Sequence, residues 1–123
     1  MFISSLHGIY LLLDEQWSEN ISLAQVMELA IQCGVRLFQY RNKTDSMLNS
    51  YRKGLVLRKL AFNNGVTFIV NDRCDLAMAL DADGVHLGQD DLFLESAQSI
   101  MGKERIIGIS PHRPEEVKTA KKD

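Results

Sequence analysis

A regular alternation of short apolar runs with longer amphipathic segments is the feature that most constrains the fold of this chain. The apolar runs have the length and composition of buried strands and lie at 8–13, 35–41, 66–70, 84–88 and 105–110. A helical pattern follows each of them, at 22–34, 46–65, 75–81 and 92–102 and again from Pro114 onward. Continuous apolar strands that alternate with helices are typical of a parallel sheet buried on both faces. The sequence therefore predicts an α/β fold, either a doubly wound open sheet or a (β/α)8 barrel.

The last of these helices is predicted from the order of its charges. Proline suits the first turn of a helix, and Pro114 stands where that turn would begin. The charged residues that follow are Glu115, Glu116, Lys118, Lys121 and Lys122. Acidic residues at the start and basic residues toward the end match the helix dipole, so we expect a fifth helix here.

Composition and charge narrow the class of protein. The chain has 123 residues, of which 46% are hydrophobic and 24% charged, as expected for one globular domain. Its formal net charge of −2 favours neither nucleic acid nor an anionic membrane as a partner. Cys33 and Cys74 lack the spacing of a metal site, and we interpret both as core residues in a reducing compartment. With no signal-peptide pattern and no run of membrane-spanning length, the sequence predicts a cytoplasmic protein.

Polar and charged residues close or follow every predicted strand, at the end where parallel α/β proteins bind their ligands. In chain order they are Asp14 and Glu15; Gln39, Arg41, Asn42 and Lys43; Asn71 and Asp72; Gln89, Asp90 and Asp91; and Ser110 and His112. Neighbouring parallel strands lie about 4.8 Å apart, so these side chains can converge. Carboxylates at adjacent strand ends repel one another unless a cation lies between them, and Mg²⁺ is commonly held by one or two carboxylates together with substrate phosphate. Arg41 and Lys43 supply phosphate donors, so the pattern predicts a site for a metal and a diphosphate.

Helix capping is the alternative explanation for the acidic residues. An aspartate just before a helix often serves only as its N-cap, and either Asp72 or the pair Asp90–Asp91 fits that role when taken alone. The carboxylates taken together, with Arg41 and Lys43 beside them, favour the binding site.

The histidines contribute less to this prediction. His86 lies in the middle of an apolar strand, where a hydrogen-bonded structural histidine is the commoner interpretation. His112 lies on a loop near Ser110 and is a weaker site candidate than that serine. The sequence contains no phosphate-binding P-loop, no dinucleotide-binding glycine motif, no nucleophile elbow and no zinc-spaced cluster.

Three motifs in this order and spacing resemble the thiamine-phosphate synthase family: "QYRNK" at 39–43, "VNDRCDLAMALDADGVHLGQDD" at 70–91 and "GIS" at 108–110. That family joins hydroxymethylpyrimidine diphosphate to thiazole phosphate. The resemblance implies a (β/α)8 barrel, of which residues 1–123 form a partial barrel of about five βα units with no second domain. It also implies a dissociative substitution, in which diphosphate leaves with the help of Mg²⁺ and the thiazole nitrogen captures a pyrimidine-methyl cation.

The resemblance assigns roles residue by residue. Five positions are implied to bind the pyrimidine diphosphate: Gln39, Arg41, Lys43, Asn71 and Ser110. Of these, Arg41 and Lys43 would stabilise the charge on the leaving diphosphate. Asp72 and Asp91 are implied to be the Mg²⁺ ligands, with Asp90 at a more variable position.

The length of the chain departs from this family. A (β/α)8 barrel needs eight strands and usually at least about 200 residues. The family's threonine-rich loop and its thiazole-phosphate loops have no counterpart here, so we expect an N-terminal portion of a synthase. If these residues were the whole molecule, the first and fifth strands would be open edges, and self-association without turnover by the monomer is predicted.

Two other functions stay open from the sequence. One is a thiazole tautomerase-like paralogue, whose pyrimidine-diphosphate pocket is altered; intact Gln39, Arg41, Lys43, Asp72 and Asp91 argue against it. The other is a non-catalytic half-barrel that serves as a binding or assembly module. The length favours the module, whereas the intact motif does not.

Overall fold

The computed structural model describes residues 9–18, 20–88, 94–102, 104–109 and 118–121. Its strands are β1 (Tyr10–Asp14), β2 (Leu37–Arg41), β3 (Thr67–Asn71), β4 (Gly84–Leu87), β5 (Ile106–Ile109) and β6 (Lys118–Lys121). Its α-helices are α1 (Leu23–Gln32), α2 (Met47–Asn64), α3 (Cys74–Ala79) and α4 (Leu94–Met101), and a 3-10 turn, Glu15–Trp17, follows β1. No helix within these ranges is long and apolar enough to cross a membrane.

The sheet has the order β1-β2-β3-β4-β5-β6, so each strand lies beside the next one in the chain. The pairings from β1 to β5 are all parallel, with a helix in each connection. A doubly wound sheet reverses its strand order at a switch point, whereas a barrel adds strands in sequence. The predicted α/β fold of five parallel strands is confirmed, and the order of the described strands is that of a partial barrel.

The last predicted helix is wrong over 118–121. These residues form β6, which pairs antiparallel with β5 and places Ala120 opposite Ile107. The backbone N–H and C=O groups at the free edge of β5 can form hydrogen bonds with another strand. Such tertiary pairing overrides a weak local preference for helix. The prediction that the fifth strand would be an open edge is therefore wrong, because β6 pairs with it. The predicted helix start at Pro114 lies outside the described residues.

Local sequence signals explain where the other helices begin and end. Ser22 caps α1 through a reciprocal capping box with Gln25, and the Ser46 side chain accepts from the backbone N–H of Asn49 at the start of α2. Gly65 closes α2 in the left-handed conformation, with φ of 65°. A residue without a Cβ adopts that conformation at little cost, which explains the Asn-Gly sequence at this position.

The helices pack on one face of the sheet around large strand side chains. Phe38, Tyr40 and Phe68 are buried there, and the rings of Tyr40 and Phe68 stack with centroids 6.1 Å apart. Gly54 lets α2 approach this layer, because a Cβ at that position would lie 3.1 Å from Tyr40 Cε2 of β2 and 2.6 Å from Leu80 Cδ1 at the end of α3. The residue that weakens α2 as an isolated helix thus permits its close packing against the sheet.

Candidate functional site

The face of the sheet opposite the helix-packed core carries polar side chains toward the carboxyl ends of its strands. Side chains alternate between the two faces of a strand, so in β2 Phe38 and Tyr40 contact the core while Gln39 and Arg41 project to the other side. A concave pocket of about 290 Å³ lies on that side. Its lining residues, which we call the open face, are Tyr10, Leu12, Gln39, Arg41, Asn71 and His86. Polar groups from four adjacent strands therefore converge in one cavity.

A chain of hydrogen bonds orients the amides of the open face. Gln39 Nε2 donates to the Tyr10 hydroxyl oxygen over 2.6 Å, and Asn71 Nδ2 donates to Gln39 Oε1 over 2.6 Å. Gln39 is only 8% exposed, so each end of its amide is held by a neighbour. Burial raises the pKa of Tyr10 above its ordinary value, while the hydrogen bond from Gln39 opposes that rise.

Arg41 is anchored by a carboxylate at the end of β1. Its Nη1 lies 2.8 Å from Asp14 Oδ2, and the parallel register places these two residues side by side. Asp14 is 6% exposed, and its other oxygen, Oδ1, accepts from the Gln16 backbone N–H over 3.0 Å. This pairing holds the guanidinium at the carboxyl ends of β1 and β2. Asp14 was seen in the sequence as a polar strand end, but its role as the partner of Arg41 depends on the strand register.

Lys43 and Asp72 meet across the ends of β2 and β3. The Lys43 Nζ and Asp72 Oδ2 atoms form a close ion pair. Asp72 has φ of 57°, in the left-handed region, and its backbone N–H donates to the His86 carbonyl oxygen over 2.6 Å. Left-handed backbone at a residue other than glycine is uncommon and is often found at functional sites. The predicted convergence of the strand ends is thus observed for a cation and a carboxylate.

The capping interpretation of Asp72 is wrong. Arg73, not Asp72, occupies the N-cap position of α3, and no side chain supplies a cap hydrogen bond there. The acidic residue associated with the start of α3 is Asp75, whose Oδ1 accepts from the Leu76 backbone N–H. The Asp72 side chain therefore pairs with Lys43 and does not cap α3.

A second ionic cluster lies beside the loop that carries Lys43. Lys53 Nζ, on α2, is 2.8 Å from both Glu15 Oε2 and Asp45 Oδ2. Hydrogen bonds to the two carboxylates, with Asp45 the larger influence, raise the pKa of Lys53 above its ordinary value. Sequence reasoning missed Asp45 and Lys53. Asp45 lies on the loop before α2 and Lys53 lies within α2, so their contact depends on how the loop folds against the helix.

Comparison with known proteins identifies the family of the chain. The family described as thiamine monophosphate synthase matches residues 9–123 of the chain. The chain belongs to this family. A thiamine-phosphate synthase from Shouchella clausii is 44% identical over 115 residues, covering 94% of this chain and 55% of the relative. The corresponding protein of Halalkalibacterium halodurans is 45% identical over 114 residues, covering 93% of this chain and 54% of the relative.

A solved structure is similar to this chain in both fold and sequence. A thiamine phosphate pyrophosphorylase from Pyrococcus furiosus superposes with a TM-score of 0.79 at 32% identity, covering 91% of this chain and 53% of the other. The chain therefore spans about half the length of the relatives it matches.

The described residues contain part of the predicted site. Five of the predicted residues lie on or just after β2 and β3, toward the carboxyl ends of these strands: Gln39, Arg41, Lys43, Asn71 and Asp72. Ser110, Asp91, Asp90 and His112 lie outside the described residues. Within the described part of the chain, no three histidine, cysteine or acidic side chains are grouped so that they could hold a metal ion.

Proposed function

We propose that the protein to which this chain belongs makes thiamine phosphate and diphosphate from hydroxymethylpyrimidine diphosphate and thiazole phosphate. The chain would contribute the pyrimidine-diphosphate half of that site. One observation carries the proposal: Arg41 ends β2, Lys43 follows it as the ion-pair partner of Asp72, and the oriented amides of Gln39 and Asn71 line the same pocket as Arg41. This set combines groups for a polyanion with groups for a polar ring.

Charge stabilisation is the part of the reaction that these residues explain. When the bond between the pyrimidine methyl carbon and the diphosphate oxygen breaks, the electron pair leaves with the diphosphate and negative charge grows on it. Arg41 offers a planar fork of donors and Lys43 a compact positive charge, which are complementary ways to bind phosphate oxygens. Asp14 fixes the direction of the Arg41 fork before substrate arrives, so the group needs little rearrangement. The thiazole nitrogen then supplies the electron pair for the new bond.

The described residues fit a magnesium ion that is shared with the substrate. Asp72 presents a carboxylate just after β3, next in sequence to the pocket-lining Asn71, and Mg²⁺ in phosphate sites needs only one or two carboxylates with phosphate oxygens and waters. We expect Asp72 and Asp91 to be the ligands, and bound Mg²⁺ would neutralise part of the charge on the leaving diphosphate. Lys43 must release Asp72 for this to happen, and the incoming diphosphate supplies the negative charge that Lys43 then needs.

The amide row suits recognition of the pyrimidine. An aminopyrimidine presents ring nitrogens that accept hydrogen bonds and an amino group that donates them. The mutual bonding of Tyr10, Gln39 and Asn71 fixes which end of each amide is presented, so the row discriminates by hydrogen-bond pattern. The ring would thus bind to the amides of the cavity, and the polyanion to Arg41 of the cavity and to Lys43 just after β2.

The partners and location belong to the same proposal. We infer small-molecule substrates, no nucleic acid or membrane partner, a cytoplasmic location, and self-association if the 123-residue chain exists alone. The tautomerase-like and assembly-module functions are the competing possibilities. Neither of these functions accounts for the joint presence of Arg41, Lys43 and Asp72 at the carboxyl ends of β2 and β3.

Calorimetric titration tests the proposal. The 123-residue chain is titrated with hydroxymethylpyrimidine diphosphate, with and without Mg²⁺, and separately with thiazole phosphate. Binding of the pyrimidine diphosphate that strengthens with Mg²⁺ supports the half-site. Binding of thiazole phosphate alone would indicate the tautomerase-like function, and no binding of either would leave the assembly module. Lys59→Met, on the exposed side of α2, serves as the control variant and should bind as the wild type does.

A further inference from the structure

The loop between β2 and α2 is held by a network of side chains around Asn42. The Asn42 side-chain oxygen accepts from the backbone N–H groups of Thr44, over 3.3 Å, and Asp45, over 3.1 Å. Its Nδ2 donates to the Tyr40 hydroxyl and to Asp45 Oδ2, each over 2.9 Å. The backbone on either side of Lys43 is therefore tied to the core through Asn42 and to Asp45.

Lys53 completes this network from outside the loop. Its ammonium group contacts both Asp45 of the loop and Glu15 at the end of β1, each over 2.8 Å. Glu15 also accepts from the Ser18 hydroxyl over 3.0 Å, which fixes the carboxylate near β1. One ammonium on α2 thus connects the end of β1 with the loop after β2.

We propose that Lys53 is a positioning residue that holds the 42–45 loop so that Lys43 is directed at the diphosphate. This inference rests on the proposed function. Lys43 has a long flexible side chain that is 45% exposed, so its direction depends on the backbone that carries it. Without Lys53, the Glu15 and Asp45 carboxylates would lie near each other with no cation between them, and their repulsion would push the loop outward.

The energetics separate this role from a structural one. Ion pairs between partly exposed side chains contribute only about 0–1 kcal/mol to stability, so the loss of Lys53 should hardly affect unfolding. A displacement of a binding group by about 1 Å can reduce activity or affinity strongly. A positioning role therefore predicts weaker substrate binding with almost unchanged stability.

Substrate titration of three variants tests the inference. In the presence of Mg²⁺, Lys53→Met should weaken binding of hydroxymethylpyrimidine diphosphate about tenfold, whereas Lys53→Arg, which keeps the two contacts, should stay within about threefold of wild type. Lys59→Met removes a lysine from the same helix that has no ion pair within the described residues, and it should bind normally. Equal binding by Lys53→Met and wild type would overturn the inference.

A double-variant cycle shows whether Lys53 acts through Lys43. If it does, Lys53→Met should cause little further loss in a Lys43→Met background. Full additivity of the two losses would contradict the inference.

Amide hydrogen exchange tests the loop without substrate. Exchange at Thr44 and Asp45, whose N–H groups bond to Asn42, should rise about tenfold in Lys53→Met and stay unchanged in Lys59→Met. Unchanged exchange in Lys53→Met overturns the inference even if binding falls. The wild-type chain could bind no pyrimidine diphosphate while Lys53→Met still exchanges faster than wild type. That result would refute the proposed function and the role of Lys53 in substrate binding, but not the contact between Lys53 and the loop.

Discussion

The two faces of the parallel sheet are built from the same strands but differ in chemistry, because only the face opposite the helices carries a row of polar groups. In β2, Phe38 and Tyr40 are buried against the helices, whereas Gln39 and Arg41 line a polar pocket. On that open face Tyr10 is 46% exposed. The alternation of a strand thus separates residues that stabilise the fold from residues available for ligands. Substitutions on the two faces should accordingly affect different measurements.

The largest effect is expected on the helix-packed face. Phe68→Ala removes a fully buried ring that stacks on Tyr40, and the cavity it leaves should lower the free energy of unfolding by about 3–5 kcal/mol. Urea denaturation measures this loss, and Phe68→Leu should lose less because it refills part of the space. A loss below about 1 kcal/mol would contradict the division between the two faces.

Arg41 lies where the two roles meet, so its substitution should affect both measurements. Arg41→Met leaves the buried Asp14 carboxylate without its guanidinium partner, which should cost about 1–3 kcal/mol of stability in addition to weakening diphosphate binding. Urea denaturation of Arg41→Met is compared with that of the Arg41→Met, Asp14→Asn double variant. The double variant should recover part of the stability but none of the binding. Recovery of both would show that Arg41 only supports the fold.

Lys43 should affect binding alone. Its side chain is 45% exposed, so Lys43→Met should change the free energy of unfolding by less than about 0.5 kcal/mol. Loss of one charge-assisted contact should weaken binding of hydroxymethylpyrimidine diphosphate about tenfold, as measured by calorimetry. A large drop in stability without any change in affinity would reverse the assignment of this residue.

The smallest effect has the opposite sign and concerns Mg²⁺ by itself. Because Lys43 neutralises Asp72 before any ligand binds, Lys43→Met should strengthen binding of Mg²⁺ in the absence of substrate, by about two- to fivefold. The measurement is a Mg²⁺ titration followed through the NMR signals of residues 71–73. Asp72→Asn should abolish the response, and weaker Mg²⁺ binding by Lys43→Met would contradict the proposed exchange of partners.

Much of the candidate site could be predicted because it depends on strand ends. Gln39, Arg41, Asn71 and Asp72 follow or close apolar runs, and parallel topology brings such ends to one edge of the sheet. The partners of these residues could not be predicted. Whether Arg41 pairs with Asp14, and whether Lys53 joins Asp45 to Glu15, depends on register and helix rotation.

The sequence by itself determined the α/β alternation, the helix limits at Ser22 and Gly65, and the polar residues at the strand ends, because these follow from local periodicity and backbone preference. Tertiary structure alone decided the antiparallel β6 that replaced a predicted helix, and it decided the sequential strand order that local periodicity had left open and only the family resemblance implied. It also decided which cation each carboxylate holds. Those outcomes depend on contacts between residues far apart in the chain, and the free energy of such contacts exceeds the local preferences that the sequence displays.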